Sequence, residues 1–347
     1  MRGLRKYLTP FAPDQSGAVS VLFELGGIVV ICDAGGCTGN VCGFDEPRWF
    51  EQKSAIFSAG LRDMDAILGR DDRLVAKLAD VVQKIDATFV AVIGTPVPAV
   101  IATDYLALKR MSEKKIKLPI LTVDTDGMEL YDKGEEKAFL ELFKIFAIEK
   151  YQAEEDRIGI LGMTPQDVSD LDAADKIRDL YRQKYGKQAV CYCMGDGLEE
   201  IREASSVSRN IVVSPAALMT AKYLEKTFGT PYEIHYPLVD ELLPDVDYTG
   251  KKVLVVHQQV IADSIRKELL KKGAKRVQIA SWFMMKKELL ADGDVLFRDE
   301  DAYIELVQNG DFDIIFADGC MERMIPEFKG IFVDTRHFAV SGKLIGK

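Results

Sequence analysis

Apolar runs of about five residues alternate along this chain with amphipathic stretches of roughly ten to sixteen, the rhythm of parallel strands joined by crossover helices. The rhythm repeats three times. The first block has strand-like runs at Gly27–Cys32, Thr88–Ile93 and Pro119–Val123, with helices predicted at Asp71–Val82, Ala99–Lys115 and Glu135–Lys150. The second has strands near Arg157–Leu161, Ala189–Cys193 and Asn210–Val213, and helices at Leu171–Tyr185, Gly197–Ser205 and Ala216–Phe228. Its last helix runs into Gly229 and Pro231, a glycine stop with a proline just beyond. Pro237–Asp247, acidic and with two prolines, reads as a linker. The third block has strands at Lys252–Val256, Arg276–Ile279, Asp313–Ala317 and Gly330–Asp334, with helices at Val260–Lys272 and Asp301–Asn309. The expected fold class is α/β: three Rossmann-like domains, each a small parallel sheet flanked by helices, at residues 1–150, 151–245 and 246–347.

Composition narrows what such a fold can do. The chain has 347 residues and a net charge of −10, so a basic nucleic-acid-binding face is not expected, and neither is attraction to an anionic membrane surface. The most apolar stretch, Gly17–Gly36, is interrupted by Glu24, Asp33 and four glycines and does not read as a membrane span. The opening residues show no apolar signal-peptide core before their prolines, and the expected location is cytoplasmic.

The six cysteines are too few for a disulfide scaffold, but three of them crowd together. Cys32 ends an apolar run. Asp33-Ala34-Gly35-Gly36-Cys37-Thr38-Gly39-Asn40-Val41-Cys42-Gly43 follows it. In an open α/β sheet ligands gather at the carboxyl ends of strands, where this loop falls. Its glycines let backbone approach a bound group closely, and thiolates at Cys37 and Cys42 could reach one soft metal centre. Rival readings remain for the same residues. Cys32 also suits plain core packing. The C-x4-C-x4-C spacing differs from a zinc knuckle, and no His lies nearby. A nucleophilic thiol lacks a sequence-near His, since the three histidines are His235, His257 and His337.

The pattern beyond these cysteines resembles a known family. Gly35-Gly36-Cys37 with Asp45-Glu46-Pro47-Arg48-Trp49 resembles the cluster-binding segment of nitrogenase component 1, and still more that of dark-operative protochlorophyllide reductase. Ser58–Arg70, Phe89–Asp104 and Thr125-Asp126-Gly127-Met128 resemble the segments that follow in those proteins. Gly195-Asp196-Gly197, Ser205–Pro215 and Lys222–Pro231 resemble their second domain. The resemblance covers nearly the whole chain. It implies three Rossmann-like domains, an iron–sulfur cluster at a subunit interface, and electrons delivered by a separate ATP-dependent, Fe-protein-like reductase. It also implies a small-molecule substrate, with tetrapyrroles among the compounds reduced by relatives. No GxxxxGK[ST] motif occurs, so ATP hydrolysis would fall to the partner.

Departures from the family pattern shape the expectation. Cys37 stands at a cluster-ligand position, but the first ligand position falls in Ala12-Pro13-Asp14-Gln15 and the third on Pro96. One chain with Cys37 and Cys42 supplies two thiolates, and a two-fold homodimer would supply the four that a 4Fe-4S cluster takes. Cys32 is the alternative second ligand, and Asp14 or Asp33 an alternative oxygen ligand. The family's second-domain cofactor cysteine reads here as Ser214, and its third-domain histidine region holds Arg336-His337. A nitrogenase-type heterometal cofactor is therefore not expected. His337 is the candidate proton donor. Gly35, Gly36 and the Gly195-Asp196-Gly197 turn are candidate cofactor contacts. Cys191-Tyr192-Cys193 reads as a strand whose thiols share a face. An assembly scaffold for metal cofactors and a metal-free binding protein are the alternative functions.

Overall fold

A computed structural model describes residues 5–52 and 54–345. Its strands form three separate sheets, and every strand pairing in them is parallel. The first joins β1 (Ile28–Ile31), β2 (Ala55–Ser58), β3 (Val90–Ile93) and β4 (Ile120–Val123) in the order β2-β1-β3-β4. The second orders β5 (Glu154–Leu161), β6 (Gln188–Cys191), β7 (Val207–Val212) and β8 (Tyr232–Ile234) as β6-β5-β7-β8. The third contains β9 (Lys252–Val256), β10 (Arg276–Ser281), β11 (Val295–Leu296), β12 (Ile314–Ala317) and β13 (Ile331–Asp334) in the order β11-β10-β9-β12-β13. The central strands are runs of buried Val and Ile, because helices cover both faces of a parallel sheet and leave no polar side.

The α/β expectation is met, and most predicted elements fall within a few residues of their place. The differences have physical causes. Asp14–Leu22 is a helix buried on every side, so it carries no polar stripe by which periodicity could reveal it. It packs on the helix Tyr131–Phe146 through two glycines. A Cβ on Gly17 would stand 1.9 Å from the Tyr131 carbonyl oxygen, and one on Gly134 1.7 Å from that of Asp14. The predicted helix Ala99–Lys115 is two, Pro96–Val100 and Tyr105–Lys115, the second capped by the Asp104 side chain. Edge strands β2, β8 and β11 are short and partly exposed and had no apolar run to mark them.

The reading of Cys191-Tyr192-Cys193 as one strand is corrected. β6 ends at Cys191, and Cys193 has φ 67°, so the chain turns there. Cys191 packs in the core beneath the second and third sheets, whereas Tyr192 and Cys193 pack in the core shared with the first. Pro237–Asp247 holds a short 3-10 turn at Val239–Leu242 and packs on the helix Gln259–Lys271.

Candidate functional site

The cysteine loop leaves the carboxyl end of β1, the second strand from the edge of its sheet. Cys32 is tied to β3 through its amide (2.9 Å to the Ile93 carbonyl) and its own carbonyl (2.6 Å from the Thr95 hydroxyl). The buried Asp33 carboxylate then shapes the turn, accepting from the Thr38 amide (2.7 Å), the Thr38 hydroxyl (2.9 Å) and the Ser58 hydroxyl (2.6 Å). Gly35 has φ 121°, a conformation that side-chain-bearing residues avoid, and from it the chain enters the helix Gly36–Asn40. That helix passes without a break into a π-helical turn, Val41–Asp45. A Cβ added at Gly35, Gly36, Gly39 or Gly43 would meet no heavy atom within 4 Å, so the glycine side of the loop is open.

Cys37 and Cys42 both sit on this continuous stretch, half-buried against the core. Burial and the nearby Asp33 push the Cys37 thiol pKa up, and burial with Glu46 and Asp33 does the same to Cys42. Cys32 is buried behind them and pushed up to about 12, mainly by burial. Without a cation the three thiols stay protonated near neutral pH, and a bound metal would reverse that by drawing out thiolates. Two accessible thiols five residues apart suit a soft metal centre but supply only half of a four-ligand set. Among the described residues no group of three or more His, Cys, Asp and Glu is gathered to hold a metal ion. The buried Asp14 carboxylate accepts the Asp126 (2.9 Å) and Gly127 (2.8 Å) amides.

Parallel strands bring their carboxyl ends to one rim, and each segment leaving it here carries an exposed apolar side chain. Phe44 follows β1, Ile67 follows β2, Val100 follows β3 and Met128 follows β4; they are 76%, 73%, 77% and 74% exposed. Beside the loop lies a cleft of about 1030 Å3. Phe44, Asp45 and Phe50 form one wall, Phe11 and Pro13 another, and residues 338–344 a third, with Gln166 also lining it.

Arg48, just beyond the loop, ties it to the second sheet. Its guanidinium binds Glu46 through two nitrogens (2.8 and 2.7 Å), Glu24 (2.8 Å) and the Cys193 carbonyl (3.3 Å). Burial opposes the charge, but the two carboxylates outweigh it and raise the guanidinium pKa further. Glu24 also accepts the Gly195 amide (2.7 Å). Asp196 accepts the Cys191 amide (2.6 Å) and pairs with Arg178 (2.8 Å). The Gly195-Asp196-Gly197 turn, itself at the surface, thus uses these groups for contacts within the chain.

The three sheets meet at a buried polar junction. Tyr131 donates to Asp167, and its hydroxyl lies 2.8 Å from His337 Nε2. The His257 ring stacks on His337 with centroids 4.3 Å apart. Thr164 donates to the buried Glu135 at 2.5 Å, and burial together with Asp167 raises the Glu135 pKa well above the usual range. His337 is 2% exposed and Ser214 1%; the Ser214 hydroxyl accepts the Ala216 amide at 3.2 Å. Nothing in the sequence pattern marked Tyr131, Gln166 or Asp167.

Three parallel sheets flanked by helices, with a cysteine loop at one strand's carboxyl end, define the class as a Rossmann-like α/β fold. Residues 14–241 match the family described as nitrogenase component 1 type oxidoreductase, and the chain belongs to that family. It is 29% identical over 181 residues to the nitrogenase iron-molybdenum cofactor biosynthesis protein NifE of Clostridium pasteurianum, a match covering 51% of this chain and 38% of the relative. It is 22% identical over 185 residues to NifE of Bradyrhizobium diazoefficiens, covering 51% and 32%. The chain thus matches about a third of the length of these relatives. Two solved structures of nitrogenase Cp1, at pH 6.5 and pH 5, share the fold with TM-scores of 0.71 and 0.70 at 12% and 15% identity. They cover 96% of this chain and 87% and 84% of their own. Among the described residues no helix is long and apolar enough to cross a membrane.

Proposed function

We propose that the chain is the electron-accepting, substrate-reducing component of a two-component system, working as a homodimer. Cys37 and Cys42 of each copy would hold an iron–sulfur cluster of the 4Fe-4S kind at the dimer interface. When bound, such a cluster supplies a one-electron relay of low potential. The partner would be an ATP-dependent, Fe-protein-like reductase, and the substrate a small unsaturated compound, tetrapyrrole-like molecules included. One observation carries the reading: two half-exposed thiols lie five residues apart on one continuous helical stretch, next to the exposed Phe44 that also walls the cleft. The open rim gives a second copy an apolar face to cover, which a solvated electron-transfer loop would not need.

In this reading each chain contributes a defined set of tasks. Cys37 and Cys42 ligate, Asp33 and Gly35 fix the loop, and Cys32 remains a protonated core thiol. Gly36 leaves room for the partner copy. His337, sealed behind the cleft, would orient Tyr131 and Asp167 rather than touch substrate. Ser214 and the Gly195-Asp196-Gly197 turn would serve the fold of the second domain.

The test is anaerobic purification followed by iron and acid-labile sulfide analysis, EPR of the reduced protein and light scattering. Wild type is expected to be brown and dimeric, with iron lost in Cys37→Ala and in Cys42→Ala and kept in Cys32→Ala. Full iron in Cys37→Ala sinks the ligand assignment.

A second reading is favoured by a separate observation. Both curated relatives are named as cofactor biosynthesis proteins, so the chain could hold a metal-cluster precursor as a scaffold without turning over substrate. Transfer of an intact cluster from the loaded protein to an acceptor, with no electron uptake from an Fe protein, would favour the scaffold.

A further inference from the structure

The segment Thr164–Ser169 of the second sheet's domain is buried throughout, although most of its residues are polar. It contains a four-residue helix, Pro165–Val168, and ends on Ser169, which has φ 55° although it is not a glycine. Backbone in that region is strained for such residues and persists where its surroundings fix it. The surroundings here belong to the other two sheets. The Ser169 hydroxyl accepts the Phe338 amide (2.6 Å) and donates to the Arg336 carbonyl (3.1 Å), while its own carbonyl accepts the Ile345 amide (2.7 Å). Asp167 accepts the Tyr131 hydroxyl. Gln166 reaches the opposite way, and its side-chain amide donates to the carbonyl of Asp45, the last residue of the π-helical turn that contains Cys42.

Asp45 is itself a fixed point. Its carboxylate accepts the Ser16 hydroxyl and the Asn40 amide, each at 2.6 Å. The Gln166 contact therefore meets the cysteine loop where the first domain already holds it. The Gln166 carbonyl oxygen is buried with no hydrogen-bond partner, so the side chain is kept in place by its single donated bond and by packing.

We infer that Gln166 is a positioning residue for the cysteine loop, through which Ser169 and the third-domain segment 336–345 set the placement of Cys42. The inference builds on the proposed function, yet it concerns the metal-free chain and can fail or hold independently of any cluster. The same segment forms the third wall of the cleft. A group bound there would press on both ends of one linkage, the Phe338–Ser169 hydrogen bond at one end and the Gln166–Asp45 hydrogen bond at the other, joined by the backbone of the short helix.

The test uses metal-free full-length protein and alkylation rates of individual cysteines, read by mass spectrometry at matched oligomeric state. Gln166→Met keeps the side-chain length and removes the donor. Cys42 should react about fivefold to tenfold faster, the change expected when a bond of this kind no longer holds the loop closed. The partly exposed Cys320 in the third domain should keep its rate, as should buried Cys191. An unchanged ratio of Cys42 to Cys320 overturns the inference. If Gln166→Met loses its fold, shown by reaction of Cys191, wild-type hydrogen exchange decides instead. Amides of residues 38–46 and 166–169 should then open with one common free energy, and independent opening overturns the inference. Should alkylation behave as expected in a protein that never binds iron, the inference stands and the proposed cluster falls.

Discussion

Arg48 and Glu46 form a two-pronged ion pair two residues apart in sequence, with side chains 3% and 1% exposed. Such a pair contributes little over an apolar replacement of both partners, but removal of one leaves a buried charge without compensation. Arg48 also serves Glu24 and the Cys193 carbonyl, so its loss strands more than one acceptor. Arg48→Met is expected to lower stability by about 3–5 kcal/mol in denaturant unfolding. A loss under 1 kcal/mol would mean that water reaches these carboxylates.

The two buried glycines predict a sharp packing penalty. Gly134→Ala would drive a Cβ into the Asp14 carbonyl, which is backbone and cannot swing away. A loss of roughly 3 kcal/mol is expected. Gly39→Ala, facing open space on a helix, should not destabilise and is expected to gain about 0.5–1 kcal/mol, so a pair of melting curves checks both.

His257 predicts a direction for acid sensitivity. Burial, and then the adjacent His337, hold its pKa well below the ordinary histidine value. Below about pH 6.5 the unfolded chain binds a proton there and the folded chain does not, so this group's contribution falls as pH falls. The drop in melting temperature between about pH 7 and 5 should be smaller in His257→Asn than in wild type. An equal drop in both proteins would contradict the assignment.

Asp132 works in the opposite sense. Burial pushes its pKa up to about 6, against the hydrogen bond it accepts from the Met284 amide. The folded chain therefore keeps a proton that the unfolded chain has lost, and the group costs stability as pH rises from about 4 to 6. The stability of Asp132→Asn relative to wild type should move in the variant's favour over that interval, measured by unfolding at several pH values.

Thiol chemistry separates the cysteines. In metal-free protein, alkylation should reach Cys37 and Cys42 well before Cys32, Cys191 and Cys193, which are buried with strongly raised thiol pKa values. Bound iron should protect Cys37 and Cys42 and leave the partly exposed Cys320 unchanged. Early labelling of Cys32 would contradict its burial.

The parallel strands were legible because a doubly covered sheet demands unbroken Val and Ile runs, as at Ile28–Ile31 and Lys252–Val256. The cysteine loop was legible from glycines and thiols crowded at a strand's end. The helix Asp14–Leu22 was hidden, since burial all round removes the polar stripe that periodicity needs. The turn at Cys193 was hidden as well, because alternation looks the same whether or not φ reverses at the last residue.

Sequence alone determined the α/β class, the order of strands and helices along the chain, and the three cysteines of the first loop, since each depends on residues close together in the chain. Tertiary structure decided which thiols face outward, that Arg48 reaches the second sheet, and that Tyr131, Asp167 and His337 meet. These are contacts between residues up to 206 positions apart, fixed by how three sheets pack rather than by any local preference.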